Sequence, residues 1–420
     1  MQPLLKLWSV VKKIYRGRIE DVSKTVGLHP FLKRVYGRIR PYRLVKTFNR
    51  KQLRKFADTV YSFSTKESIE ISEPVFTNLN GLPDEFERVT GTYSLEQPFV
   101  AEIKHGRILE GSGIATTEDY VIILDGTSSR EDKIIQRLTL EDISQLTKKQ
   151  RRYTRSTPLD VDISTAVSFI PSYGYPHWAQ SCLTLLQGLD VYEEQTGNRP
   201  TILLEPNPPS WLVESLIHFG YGPDEWYYWQ EGDELYIGNL VVPSVRRLEK
   251  TVDYNSSRRG LQFKIGSPIA YRWVQETAIS RCSNRSDDLE YSPKVFISRN
   301  DANRRRLQNR DEIMSILSNR GYKSYELASL SFEQQVKLFS QAEEVIGVHG
   351  AGLTNLIFAS DCKVTELFGD YFRPTFYLLA EILDLDYHFL SGNSIPQSHP
   401  NPHHQDVELP VETLELLPYW

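Results

Sequence analysis

Cysteine is scarce in this 420-residue chain, which has only three. Cys182, Cys282 and Cys362 are scattered, odd in number and without a C-x-x-C spacing. That excludes a disulfide scaffold, argues against a structural zinc site and points to a reducing compartment. Long apolar runs are also missing. None approaches the ~20 residues that a membrane-spanning helix needs. No apolar stretch follows the N-terminal basic residues in the manner of a secretory leader. The expectation is a cytoplasmic protein. Apolar residues at 40% and charged residues at 25% exclude disorder, collagen and coiled coil as descriptions of the whole chain. At about 100–200 residues per domain, the length predicts two or three domains.

Charge is present but unevenly placed. Residues 1–56 hold sixteen Lys and Arg against Glu20 and Asp21, a net +14. The remaining residues hold 33 basic and 52 acidic side chains, a net −19. Such an arm is a footprint for something anionic. Three readings stay open: a solvated arm that packs on the acidic body, a membrane-surface helix, or a nucleic-acid contact. Leu4, Leu5, Leu7, Trp8, Val11, Ile14 and Tyr15 lie beside the cations at helical spacing, as in an interfacial helix on an anionic membrane. No recognised nucleic-acid motif accompanies the arm, and nucleic acid is not the expected partner.

After the basic arm (1–56), the stretch 57–90 reads as irregular and 92–125 as β. A polar linker or surface helix follows to about 160, so 57–160 forms a β-rich segment with its linker. Strand and helix then alternate over 161–242, through the strand candidates 166–170 and 201–204 and the helical patterns 178–194 and 211–219. The stretch 243–293 connects to a second alternating run over 294–390. There the strands are expected at 294–298, 322–327, 344–348, 363–368 and 387–390, and Asn309 with Glu312 has capping-box spacing. Repeated units of this length predict an α/β protein with two Rossmann-like, doubly wound parallel sheets facing a cleft. The tail 391–420 is rich in Pro, Ser, Asn and His, and is expected to pack loosely.

The most informative stretch is Glu-Val-Ile-Gly-Val-His349-Gly350-Ala351-Gly352-Leu353-Thr354-Asn355. A strand runs straight into a glycine turn and a helix, the arrangement in which bare backbone amides cradle an anion. The third glycine of a dinucleotide fingerprint is absent and the motif lies late in the chain, which disfavours a dehydrogenase. Arg299 leaves the first strand of this run on the same edge, followed by Arg304, Arg305 and Arg306. Guanidinium groups there can fork onto phosphate oxygens. Glu366, at the end of the next strand, is placed to accept from ribose hydroxyls.

Phe296-Ile297-Ser298-Arg299, the Arg-Arg-Leu-x-Asn-x-Asp-Glu stretch at 305–312 and the His349–Asn355 motif together resemble glycosyltransferase family 61. Tyr175-Pro176-His177-Trp178 is similar to the family's histidine–tryptophan element at a helix start. The resemblance covers about residues 95–390. It implies a GT-B fold, a nucleotide-sugar donor (UDP-linked by expectation), a glycan or lipid-linked acceptor and inversion at the anomeric carbon. Two departures stand out. The family often has Asp where this chain has Ser181, and an extra residue between Arg299 and Arg305 leaves Arg304 and Arg305 hard to tell apart.

Glycosyl transfer builds charge on a departing diphosphate, which preoriented cations and backbone dipoles stabilise. Arg299, Arg304 or Arg305, His349 and Gly350–Gly352 suit that task, with Leu353, Thr354, Asn355 and Glu366 completing the donor side. His177 has the chemistry of a base for the acceptor hydroxyl. Asp160-x-Asp162 and Asp384-x-Asp386 have the spacing that holds a divalent metal in other transferases. Both precede strands, away from the ligand edge, so no metal cofactor is expected. The rival to an enzyme is a non-catalytic nucleotide- or polysaccharide-binding protein of the same fold.

Overall fold

The computed structural model describes residues 45–74, 81–109, 114–125, 140–152, 163–168, 174–229, 234–254, 257–282 and 291–420. Most of the basic arm and the Asp160–Asp162 pair lie outside the described residues.

The C-terminal half is the parallel sheet that the strand–helix rhythm predicts. Its strands are β1 (Lys294–Ile297), β2 (Lys323–Tyr325), β3 (Glu344–Val348), β4 (Lys363–Phe368) and β5 (Asp386–Ser391). They lie in the order β2-β1-β3-β4-β5, every pair parallel. The central strands are buried on both faces, which is why they read as unbroken apolar runs instead of alternating ones. Helices Arg310–Ser318, Phe332–Ser340 and Thr375–Leu383 link them. The second is started by a reciprocal cap, in which Ser331 Oγ accepts from the Gln334 amide and Gln334 Oε1 accepts from the Ser331 amide. In this strand order the chain reverses direction between β1 and β3, and ligands of such sheets sit outside the carboxyl ends at that point.

The first sheet corrects the expectation of a doubly wound parallel layer. Among the described residues it has nine strands and is mixed. Ile163–Ser168, Thr201–Leu204 and Trp226–Tyr228 run parallel beside Leu235–Pro243. Leu235–Pro243 pairs antiparallel with Phe99–Ile108. The β-rich segment and the α/β layer behind it therefore share one sheet. Gly106 makes the central pairing close: a Cβ there would meet Leu240 Cβ at 2.5 Å. The stretch 57–90 is not irregular, since Thr59–Ser62 adds an edge to Phe99–Ile108 and Glu67–Ile71 pairs with Gly91–Leu95.

Residues 243–293 supply a hairpin, Arg247–Tyr254 with Ser257–Gly266, and the helix Pro268–Ser280. One continuous apolar core runs from this helix and Leu183–Thr196 to the second sheet. Polar ties cross the same boundary, such as the Phe332 amide donating to Glu214 at 2.9 Å.

The tail also differs from expectation. Asn393–Ile395 pairs with Asp406–Glu408, and Val407, Leu409, Leu414 and Leu417 are buried against Phe296, Ile346 and Leu390. Four apolar side chains at irregular spacing do not form a periodic pattern, so the sequence concealed them.

Candidate functional site

The reversal between β1 and β3 places the ends of these two strands side by side. Arg299 follows β1, and His349 with Gly350 follows β3. Arg299 reaches across the edge and folds back on its own loop. Its Nε donates to the Arg305 carbonyl and its Nη2 to the Arg304 carbonyl, each at 3.2 Å. Gly350 sits directly beneath the guanidinium, where a Cβ would come within 1.8 Å of Nη1. Its φ is 179°, extended backbone that any residue adopts, so the need for glycine is steric contact alone. Gly352 is crowded by Leu327 and Ile297. The turn continues into a 3-10 helix, Ala351–Phe358, whose first bond is Leu353 amide to Gly350 carbonyl at 3.0 Å.

Behind the turn lies a buried polar triad. His349 Nδ1 is hydrogen-bonded to Glu366 Oε1, and Tyr387 donates its hydroxyl to Glu366 Oε2 at 2.6 Å. The His349 ring stacks on Phe368 with centroids 5.2 Å apart and rests against Phe376 at 5.3 Å. With Nδ1 engaged and one ring face covered, Nε2 is the nitrogen left for the cavity. That cavity is lined by Arg305, His349, Tyr371, Ser394, His403 and Gln405 among others.

The loop after β1 separates the three arginines. Arg305 lines the cavity and holds a left-handed backbone, φ 55°, an unusual conformation for a long side chain. Its Nε is buried without a hydrogen-bond partner. Arg304 is exposed and donates to His404, and Arg306 pairs with Asp406 at 2.9 Å. Burial, then the neighbouring Arg305, pushes Arg299 down to about 10. Burial, then Arg304, lowers Arg305 as well. Each guanidinium is thus held down by burial and by a neighbouring cation, an arrangement that an anion would relieve.

Residues 175–365 match the family model described as Glycosyltransferase 61. This stretch is a glycosyltransferase family 61 domain. It holds both β1 with its arginine loop and the His349 turn. A separate match of 39% identity over 66 residues relates the chain to beta-1,2-xylosyltransferase of Oryza sativa subsp. japonica. That match covers 15% of this chain and 12% of the rice protein.

The family 61 domain also includes the histidine–tryptophan element, and the fold brings it against the glycine turn. Tyr175 donates its hydroxyl to Asn355 Oδ1, whose amide nitrogen donates to Gln335 at 2.8 Å. His177 Nδ1 lies 2.8 Å from Lys264 Nζ on the hairpin. Trp178 is buried and its indole donates to Ser215 at 2.8 Å. The helix here opens with a π turn, Trp178–Cys182, a form often found at functional sites. Ser181 lies within it, 2% exposed, its hydroxyl without a hydrogen-bond partner.

Several expectations need correction. Glu366 is fully buried with both oxygens engaged, so it does not reach a ribose. Leu353, Thr354 and Asn355 are buried too, and they fix the turn without facing a ligand. Asn309 makes no cap hydrogen bond, since its side chain is held to Leu409 across the tail. Asp384 and Asp386 lie at the start of β5, on the opposite edge, engaged by Arg272 and His388. Among the described residues, no group of three or more His, Cys, Asp or Glu is arranged to hold a metal. No helix among them is long and apolar enough to cross a membrane. Sequence reasoning missed Tyr387 and Tyr371, and left His403 in a loosely packed tail. Only the sheet order brings Tyr387 to Glu366, and only the turn after β4 and the folded tail bring Tyr371 and His403 to the cavity.

Proposed function

We propose that the protein transfers a sugar from a nucleoside diphosphate, UDP by first choice, to a hydroxyl of a glycan or glycoconjugate. The reading includes a GT-B arrangement, inversion at the anomeric carbon and no metal requirement. One observation carries it: Arg299, Arg305 and His349 surround the Gly350 turn at the reversal point of a parallel sheet, inside the family 61 domain, with Glu366 just beyond its end holding His349.

In this reading the diphosphate lies against the amides of Ala351 and Gly352 and the two guanidinium groups. The bond from the anomeric carbon to the diphosphate breaks as the acceptor oxygen forms its own bond to that carbon. Charge grows on the departing phosphate, where fixed cations stabilise it without reorganising. Glu366 holds the His349 ring through Nδ1 and aims Nε2 at the phosphate. The acceptor's proton leaves on the opposite side, and His177 is the candidate base named from the sequence. Lys264 claims its Nδ1 lone pair, so His177 first has to lose that contact to act as a base. Left as it stands, it orients an acceptor oxygen by donating from Nε2.

That contact also favours a second reading, a binding protein of the same fold that has lost its base. A transfer assay with UDP-xylose, UDP-arabinose and UDP-N-acetylglucosamine, run in excess EDTA, decides between them. The rice relative's name puts UDP-xylose first. Turnover in EDTA supports the enzyme. Binding without turnover supports the second reading, and activity restored only by Mn²⁺ overturns the metal-free account. The +14 arm is proposed to bring the enzyme to an anionic membrane surface on the cytoplasmic side. Co-sedimentation with anionic vesicles that does not change when residues 1–56 are removed refutes that part.

A further inference from the structure

We propose that His403, which lines the diphosphate pocket, and its neighbour His404, both carried by the C-terminal tail, are proton-linked to that pocket, so that donor binding is accompanied by proton uptake on these imidazoles. The inference rests on the donor-site reading above and adds a regulatory property to that site.

The tail is stitched to the arginine loop along its length. Arg306 donates to Asp406 through its amide, Nε and Nη2. Gln308 Nε2 donates to the same carboxylate, the Gln308 amide donates to the Val407 carbonyl, and Leu307 bridges to Val407. These contacts hold the turn Pro402–His404 over the mouth of the cavity. His403 lines that cavity and meets the Tyr371 ring edge-on, with centroids 3.7 Å apart. His404 accepts from Arg304 Nη1, which lies 3.2 Å from both ring nitrogens, and its ring is 5.0 Å from that of His399.

The charges facing these rings are of one sign. His403 faces Arg373, Arg305 and His404, with Tyr371 against its ring. His404 faces Arg304, Arg305 and His399. The nearby carboxylates are otherwise engaged: Asp406 by Arg306 and Gln308, Glu366 by His349 and Tyr387, and Asp370 by Ser394. Burial first, then these cations, lowers both imidazoles. With the pocket empty, each ring is therefore neutral at neutral pH.

A diphosphate entering beside Arg305 reverses that field. Its negative charge favours the imidazolium, so each ring's affinity for a proton rises on binding. The linkage has a definite sign. Between the lowered value of the free protein and the higher value of the complex, affinity for the donor increases as pH falls. One proton taken up per donor bound tightens binding by up to about tenfold per pH unit within that window.

Calorimetry on the full chain tests this with the tightest binder among UDP-xylose, UDP-arabinose and UDP-N-acetylglucosamine. Such diesters carry no titrating phosphate proton near neutrality. Titrations in buffers of different ionisation enthalpy at about pH 6.5 read proton uptake directly on the wild-type protein. The expected result is net uptake of about half to one proton per donor bound, which the double variant His403→Gln/His404→Gln abolishes, together with the pH dependence of affinity. Binding with no uptake, or uptake unchanged in the double variant, overturns the inference and leaves the donor site standing. If the double variant does not fold, the single variants His403→Asn and His404→Asn replace it, and the wild-type measurement is unaffected. Failure of every sugar nucleotide to bind overturns the donor-site reading and the inference with it.

Discussion

Gly350→Ala is the sharpest single perturbation of the site, because its backbone cost is small and its steric cost is local. Gly350 has an extended φ of 179°, so alanine needs no strained conformation there. The added methyl would lie 1.8 Å from Arg299 Nη1 and 2.6 Å from Cζ. Neither distance can stand, and the guanidinium has to move. Moving it breaks two bonds to the Arg304 and Arg305 carbonyls, each at 3.2 Å. Bonds of this charged type are worth about 1.5–3 kcal/mol each at most, and rebonding to water recovers part, so a stability loss of about 1–3 kcal/mol follows. The larger effect is on chemistry. Removing one preoriented charge stabiliser lowers kcat about 100- to 1,000-fold, or about 2.7–4 kcal/mol. Turnover at saturating donor, with a denaturant melt alongside, measures both. If the loss runs through Arg299, the double variant Gly350→Ala/Arg299→Ala is no slower than Arg299→Ala alone. Turnover of Gly350→Ala within about threefold of wild type, or full additivity in the double variant, refutes the reasoning.

Glu366→Gln removes the carboxylate shared by His349 and Tyr387 while keeping its shape, and is expected to slow transfer at least about 100-fold with the fold retained; near-wild-type turnover would remove the pair from the mechanism. His177→Gln is expected to keep turnover within about tenfold of wild type while His177→Ala falls further, because an amide can orient a hydroxyl but cannot take its proton. Equal, large losses in both variants would instead identify His177 as the base. Asp190 tests the first half of the molecule: burial raises its carboxyl to about 6. The folded state therefore holds the proton more tightly than the unfolded chain, and wild-type stability falls as pH rises from about 4 to about 6. Asp190→Asn lacks that fall and, discounted for partial exposure, is expected to be about 1 kcal/mol more stable than wild type at about pH 7 and equal near about pH 4. A stability difference that does not change with pH contradicts this.

The second sheet was legible in the sequence because its central strands are short apolar runs closed by turn signals, and each crossover helix is local. Glu344–Val348 and Lys363–Phe368 fall where the pattern puts them. The first sheet was not legible, because Phe99–Ile108 finds its partner Leu235–Pro243 more than a hundred residues away, and nothing in either run specifies an antiparallel neighbour. The site divides in the same way. Arg299, Gly350 and His349 could be named, since strand ends and glycine turns leave a local signature. The choice of Arg305 over Arg304 could not, because it depends on a left-handed backbone and a tail that folds back to cover the loop. Glu366 was named for the right strand end but the wrong partner. Its neighbour Tyr387 lies on β5, and only the sheet order brings the two together.

The central claim is that a nucleoside diphosphate binds at the carboxyl edge of β1 and β3. A crystal structure of the chain with UDP and the transferred sugar's analogue tests it most directly. The account predicts phosphate oxygens within hydrogen-bonding distance of Arg299, Arg305 and the amides after Gly350, with His349 Nε2 on the oxygen that leaves. A diphosphate lying instead on the first sheet, or held there by a metal ion, would contradict it.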